Sequence, residues 1–323
     1  MDDYVDSGGL RRFADPVHDL IHDGQPFTTI TARAFGWSPK QLGHLVVTGS
    51  IRRLFRGVYI DARSVDSRAL RLAAISLVRP PGAIACNETA AWLHGVDAFK
   101  PSDRFLLVPS FVVPHSTTRL TVPGARCRQA ILEAGDITSI DGTYATTPLR
   151  TASDLLRRLY RPYALAAADA FVRAGLIDLY ELRRFIARLK GYPGIVQARS
   201  LAGLVDGRAQ TPGESWQRLR IHDAGFPAPT LQFEVVDHHG SRFFLDLAYP
   251  EILLGSEYDG REFHTDRRDR AHDEERRAHL TDLYGWRWEN ADRQRLFGPD
   301  ASYEMNLGKL LGIEPRPRSW GYG

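Results

Sequence analysis

The chain has 323 residues, 43% of them hydrophobic and 25% charged; the length exceeds the usual single core, and the balance excludes a disordered or fibrous protein. Its 42 lysines and arginines nearly offset 39 aspartates and glutamates, leaving +3, so an affinity for nucleic acid has to be sought in local clusters rather than in overall charge. The two cysteines, Cys86 and Cys127, are far apart and lack metal-ligand spacing, which argues against a disulfide framework or a zinc site. With an acidic start and no apolar run near the ~18 residues of a membrane span, they fit a cytoplasmic protein away from membranes.

In chain order, Leu10, Phe13, Val17, Leu20 and Ile21 have helical spacing that ends before Asp23 and Gly24, although Pro16 opposes a helix there. A short turn through Thr31 to Phe35 follows. Ser38 and Pro39 then supply an N-cap and an N1 proline for a helix to Thr48, with Gly49 as its stop. Residues Ile51 to Ile60 form two β-rich halves meeting at Arg56 and Gly57, a hairpin. Helix, tight turn, helix and hairpin over residues 1–62 predict a winged helix-turn-helix. In that motif the second helix enters the major groove, which selects Lys40, Gln41 and His44 as base-facing candidates. Arg52, Arg53 and Arg56 on the hairpin are candidate phosphate contacts. The same elements also suit a small helical domain that binds protein.

Residues 63–205 read as a mixed α/β, mostly helical middle domain. Helices are expected over Ser67 to Val78, Glu88 to His94 with Asn87 as cap, Pro148 to Leu159, Tyr163 to Ala174, Asp178 to Lys190 and Ile195 to Leu204. Strands are expected over Phe105 to Val108, Leu120 to Val122 and Arg126 to Ile131. No catalysis is assigned to this region, and His94 reads as a helix-end residue. A polar, turn-rich segment over 206–213 marks a domain boundary.

The third domain, 211–312, begins with a helix from Glu214 to Ala224 and continues with strands Leu231 to Asp237, Arg242 to Tyr249 and Ile252 to Asp259. A charged helix capped by Thr265 runs to about Leu283, and Trp286 to Glu289 is a last strand, so the order is αβββαβ. Pro315 to Gly323 reads as a loose tail.

Asp246 lies near the end of the second strand, and strand alternation points Glu257 and Asp259 to one face of the third. Converging carboxylates repel one another unless a cation neutralises them, and oxygen-only ligands select Mg²⁺ or Mn²⁺. Such an ion lowers the pKa of a bound water and orients it against a phosphodiester. Glu214 joins this set as a metal ligand or serves only the helix dipole as a first-turn acid. His264, after the Asp259–Gly260 turn, is either a capping residue or a proton-transfer group. The arginines from 261 to 277 alternate with acids in the manner of a solvated helix.

The run from Phe244 through Asp246, Glu257, Asp259 and Gly260 to His264 resembles the very-short-patch-repair-like branch of the PD-(D/E)XK nuclease superfamily over about residues 211–297. The resemblance implies a restriction-endonuclease-like fold, with Glu214, Asp246, Glu257 and Asp259 as metal ligands and Asp246, Glu257, Asp259 and His264 as catalytic residues. One departure is that Asp259 stands where that superfamily has a lysine, so a cationic contribution has to come from elsewhere, from Arg261, Arg267 or Arg268 or from a second metal. Thr31 to Tyr59, ending Phe-Arg-Gly-Val-Tyr, resembles the N-terminal domain of AbiEi-family antitoxins of type IV toxin–antitoxin systems. The stretches Asn87 to Gly95 and Thr146 to Asp154 look like the body that accompanies it. That resemblance implies DNA binding, repression of an operon and a toxin partner.

The reading is therefore an α/β (α+β) protein with a winged helix-turn-helix, a mixed α/β middle region and a C-terminal αβββαβ nuclease-like domain. Its first expected function is DNA binding with Mg²⁺-dependent hydrolysis of DNA phosphodiesters, in phage defence or DNA repair. The alternative is an AbiEi-like antitoxin and transcriptional repressor whose nuclease fold is inactive.

Overall fold

The computed structural model describes residues 24–98, 107–118, 121, 123–260 and 267–321, the side chains of 267–272 excepted. The expected helix over Leu10 to Ile21 lies outside the described residues, as do Phe105, most of the expected strand at 120–122, Arg261, His264 and Thr265. The chain divides into two compact units, Met1–Thr151 and Ala152–Gly323; residues 206–213 lie within the second. Both units mix helices with sheets, as the α+β reading expects.

The first unit opens with β1 (Phe27–Thr28), α1 (Thr29–Ala34), α2 (Pro39–Val47), β2 (Ile51–Phe55) and β3 (Val58–Asp61). Helix α2 starts where the sequence places its cap. The Ser38 hydroxyl accepts from the Gln41 backbone N–H at 3.3 Å, and the Gln41 side-chain carbonyl accepts from the Ser38 N–H at 2.8 Å, a reciprocal capping box. The hairpin turns at Gly57, whose φ of +78° suits a residue without a Cβ. A three-stranded sheet ordered β1-β3-β2 results, and Phe27, Ala32, Trp37, Leu42, Ile51 and Tyr59 form the core beneath it.

Next come α3 (Arg68–Ser76), β4 (Ile84–Ala85), α4 (Asn87–Leu93), β5 (Ser110–Pro114), β6 (Arg126–Ala130), β7 (Ile137–Ile140) and β8 (Thr143–Thr146). These strands make a five-stranded sheet ordered β6-β5-β4-β8-β7, with α3 and α4 contributing Leu70, Ile75, Trp92 and Leu93 to its core. Two expectations shift here. Leu107 makes only an isolated bridge to Phe55, and the strand expected up to Val108 begins instead at Ser110. Asn87 is not the cap of α4: Cys86 occupies that position, and Asn87 is the first helical residue with φ +50°, a conformation asparagine tolerates better than most.

Helix α5 (Pro148–Arg158) crosses the division between the units. The second unit continues with α6 (Arg161–Arg173), α7 (Leu179–Arg188), α8 (Ile195–Ala202) and α9 (Pro212–Asp223). Then follow β9 (Thr230–Val236), β10 (Arg242–Tyr249), β11 (Leu254–Ser256), α10 (Arg267–Tyr284), β12 (Arg287–Trp288), α11 (Arg293–Phe297) and α12 (Ser302–Leu311). The sheet order is β12-β11-β10-β9; β9, β10 and β11 form an antiparallel meander, and β12 adds parallel to β11. Strand β11 is shorter than expected because Pro250–Ile252 forms a 3₁₀ turn and Leu253 takes φ +49°. Glu257 and Asp259 therefore lie just beyond the strand, where Tyr258 bridges to Ala291.

Two buried networks hold α9 in place. Ser215 donates to the Asp169 carboxylate of α6 at 2.7 Å, and Arg218 pairs with the same carboxylate at 2.5 Å. Burial nevertheless pushes the Asp169 carboxyl up to about 6. The Gln217 amide donates to the Ser256 hydroxyl at 2.7 Å and to the Tyr303 hydroxyl at 3.1 Å, tying α9 to β11 and α12. The expected loose tail is fixed. Arg316 donates its backbone N–H to Ala224, the Arg318 guanidinium grips both Glu304 oxygens at 2.6 Å, and Trp320 is buried beneath the Arg220 guanidinium.

Candidate functional site

Glu214 sits in the first turn of α9, after a Thr211 cap whose hydroxyl accepts from its N–H at 3.3 Å. It is only 3% exposed, so the bland role of a solvated first-turn acid does not describe it. One of its oxygens accepts from the Gln210 N–H at 2.9 Å and from the Gln232 side chain at 3.2 Å. Asp246, on β10, is placed near Glu214 and Glu257. Burial, then the Glu214 charge, then the Glu257 charge push its carboxyl up to about 7. The structure thus brings Glu214, Asp246 and Glu257 into one electrostatic neighbourhood drawn from α9, β10 and the end of β11. Tyr258 helps to hold it: a Cβ on Gly213 would lie 2.0 Å from its ring, so α9 closes on this segment only because position 213 lacks a side chain.

The charge that meets these acids comes from α10. Arg276 donates to one oxygen of Glu257 at 2.7 Å, and Arg277 approaches the other at 3.2 Å and Asp259 at 3.5 Å. Arg277 is thus shared between Glu257 and Asp259. The two acids differ in burial: Glu257 is 5% exposed, while the Asp259 side chain is 42% exposed. Burial raises the Glu257 carboxyl pKa, against the pull of Arg276 and Arg277. Both arginine side chains are less than one-fifth exposed, so the solvated-helix reading of α10 fails at these two positions. Sequence alternation hid them, since an acid-base-acid-base surface helix and a helix that turns two arginines onto a buried acid have the same composition.

Fit to a metal was tested on the donor set. Among the described residues no group of three or more His, Cys, Asp or Glu side chains stands at ligand spacing. Both Glu257 oxygens are held by guanidinium groups, whereas Glu214 is met by the Gln210 N–H and the Gln232 side chain. His264 lies outside the described residues, as do Arg261 and the side chains of Arg267 and Arg268.

The second set of candidates lies on α2 and the β2–β3 hairpin. Lys40 and His44 are exposed on α2. Gln41 is exposed too, but its side-chain carbonyl is committed to the capping box. On the hairpin, Arg53 is exposed with its guanidinium 5.7 Å from the Tyr59 ring, and Arg56 is exposed at the turn. Arg52 points away from that role: half-buried, it donates to the Ser64 carbonyl at 3.1 Å and faces Asp66 in a small pocket. His94, at the C-terminal end of α4, contacts the Thr146 carbonyl through Nε2 at 2.8 Å, and burial lowers its pKa, which suits a neutral ring donating Nε2–H.

Comparison with known proteins adds a family. A family model described as the AbiEi antitoxin C-terminal domain matches residues 83–204. Two Mycobacterium tuberculosis proteins, Uncharacterized protein Rv2248 from strain H37Rv and Uncharacterized protein MT2308 from strain CDC 1551, are each 35% identical over 250 residues, covering 76% of this chain and 87% of their own length. Among solved structures, the crystal structure of RV2827C protein from Mycobacterium tuberculosis aligns with a TM-score of 0.32 and 14% identity, covering 73% of this chain and 90% of that one. No described helix is long and apolar enough to cross a membrane.

Proposed function

The chain belongs to the family represented by Rv2248 and MT2308 and carries an AbiEi antitoxin C-terminal domain, and on that premise we propose that it is an antitoxin-like transcriptional repressor. In this reading residues 27–61 are a winged helix-turn-helix. Lys40 and His44 face bases from α2, and Arg53 and Arg56 meet phosphates from the hairpin. Gln41 serves mainly as a cap and Arg52 as a hairpin anchor. A toxin encoded beside the repressor is its protein partner.

The αβββαβ portion of the second unit is read as a restriction-endonuclease-like fold used for binding rather than cutting. The observation that carries this choice is the grip of Arg276 and Arg277 on Glu257. A carboxylate with both oxygens held by guanidinium groups is a poor ligand for Mg²⁺, which demands near-ideal octahedral oxygen geometry. Metal-dependent hydrolysis by Asp246, Glu257 and Asp259 would require those arginines to let go.

The test pairs binding with cleavage. The full chain should retard a DNA fragment from upstream of its own gene, with affinity falling steeply as salt rises. It should leave supercoiled plasmid intact in Mg²⁺ or Mn²⁺. Nicking that disappears in Glu257→Ala would replace this reading with the nuclease. Unchanged operator affinity in Arg53→Ala with Arg56→Ala would remove the winged-helix assignment.

A further inference from the structure

Between Glu181 and Asp206 the sequence contains Arg183, Arg184, Arg188, Lys190 and Arg199 and no acid, in a chain whose net charge is only +3. The structure places this stretch on α7, the loop after it and α8. Helix α7 turns Leu182 and Ile186 into the core, with both essentially buried. The opposite face carries Tyr180, 71% exposed, then Arg184 and Arg188, both exposed, at steps of four residues. Such steps put successive side chains about 6 Å apart along the helix. Lys190 follows, also exposed, just past the helix end.

The roles of the neighbouring arginines sharpen the pattern. Arg183 donates to the Ala202 carbonyl at 3.0 Å and Arg199 to the Leu189 carbonyl at 3.1 Å, so these two brace α7 against α8 while keeping their charge. Arg184, Arg188 and Lys190 have no carboxylate partner among the described residues. Arg188 only stacks over Phe185, its guanidinium 5.8 Å from the ring. Complementing the helix dipole accounts for one cation in the last turn. It does not account for Arg184 a turn earlier or for Lys190 beyond the end.

We propose that this face of α7, with Tyr180, Arg184, Arg188 and Lys190, is a second nucleic-acid contact that binds the phosphate backbone of DNA without reading sequence. A row of unpaired cations at near-regular spacing with an exposed aromatic at one end matches a polyanion with stackable or sugar-lined edges. A membrane surface fits less well. A helix lying in a bilayer interface buries an apolar face in lipid, and the apolar residues of α7 are spent on the core.

The experiment measures fluorescence anisotropy of the full chain on a labelled duplex of random sequence across a salt series. Three variants are compared: Arg184→Ala/Arg188→Ala/Lys190→Ala, the charge-preserving Arg184→Lys/Arg188→Lys, and Arg53→Ala/Arg56→Ala on the hairpin. The triple variant should weaken binding by roughly tenfold or more and reduce the slope of log K against log salt by about 2 to 3, the loss of three phosphate contacts. The lysine variant should keep the slope. All the substituted side chains are exposed, so melting temperatures should match the parent, which separates lost contacts from lost folding. An unchanged slope and affinity in the triple variant overturns the inference, as does binding to phosphatidylserine vesicles in place of DNA. Because the hairpin variant reports separately, loss in one pair and not the other tells which surface fails.

Discussion

Arg276 reaches Glu257 from the helix that follows it, Nη2 to Oε1 at 2.7 Å, and sets a guanidinium against a carboxylate that is only 5% exposed. Removing either member alone should strand a largely buried charge. Arg276→Ala should cost about 2 to 3 kcal/mol, part of the range for breaking a buried pair, because Arg277 remains. In a Glu257→Gln background the same substitution should cost at least 1 kcal/mol less. Chemical denaturation of the four proteins gives the coupling; a value near zero would mean that the pair is ornamental and the site free to load metal.

Gly213→Ala sets two effects against each other. Alanine should favour helix α9 by about 1 kcal/mol over glycine. Its Cβ would stand 2.0 Å from the Tyr258 ring, and relief of that overlap has to move the segment that carries Glu257 and Asp259. Overlap should win by about 1 to 3 kcal/mol, so the melting temperature should fall. A rise would show that Tyr258 swings aside at little cost.

His94 predicts an acid sensitivity. Burial lowers its folded-state pKa below the ordinary histidine value of about 6.5, so below that value the unfolded chain takes up the proton more readily. Its contribution is at its best above pH 6.5 and is lost as pH falls from there toward the lower folded value. His94→Gln can still donate toward the Thr146 carbonyl and does not titrate. The drop in melting temperature between pH 7.5 and pH 5.5 should therefore be smaller in the variant, and equal drops would contradict the assignment.

Trp320→Ala tests whether the C-terminal segment is part of the second unit's core. Trp320 is 7% exposed, its ring lies 3.4 Å from the Arg220 guanidinium carbon and its indole N–H donates to Asp223 at 2.8 Å. Truncation should cost about 3 kcal/mol or more, the usual range for a buried tryptophan. A loss under about 0.5 kcal/mol would return the segment to the status of a surface tail.

Much of this architecture was legible because it is written in local chemistry. Ser38-Pro39 marks the start of α2, the Arg56–Gly57 pair marks the hairpin turn, and apolar spacing marks α3 and α5 through α9 within a residue or two. The αβββαβ order of the last portion also follows from turn residues and strand alternation. These readings rest on periodicity and capping, which act within a few residues along the chain.

Other features depended on partners distant in sequence. Gln41 looked like a base-reading side chain, but the Ser38 N–H claims its carbonyl. Arg52 resembled Arg53 in sequence and differs only because the Ser64 carbonyl lies beside it. The tail looked loose because nothing in Pro315 to Trp320 announces that Arg220, a hundred residues earlier, lies buried and waiting for a ring and a carbonyl.

The sequence by itself determined the three-stranded meander that carries Asp246 and leads to Glu257, since side-chain alternation and turn chemistry are properties of a short stretch. Only the tertiary structure decided what Glu257 meets. Arg276 and Arg277 read as solvated because charge alternation on a helix is blind to which face the fold presents; packing of α10 brought them onto Glu257, where each is less than one-fifth exposed.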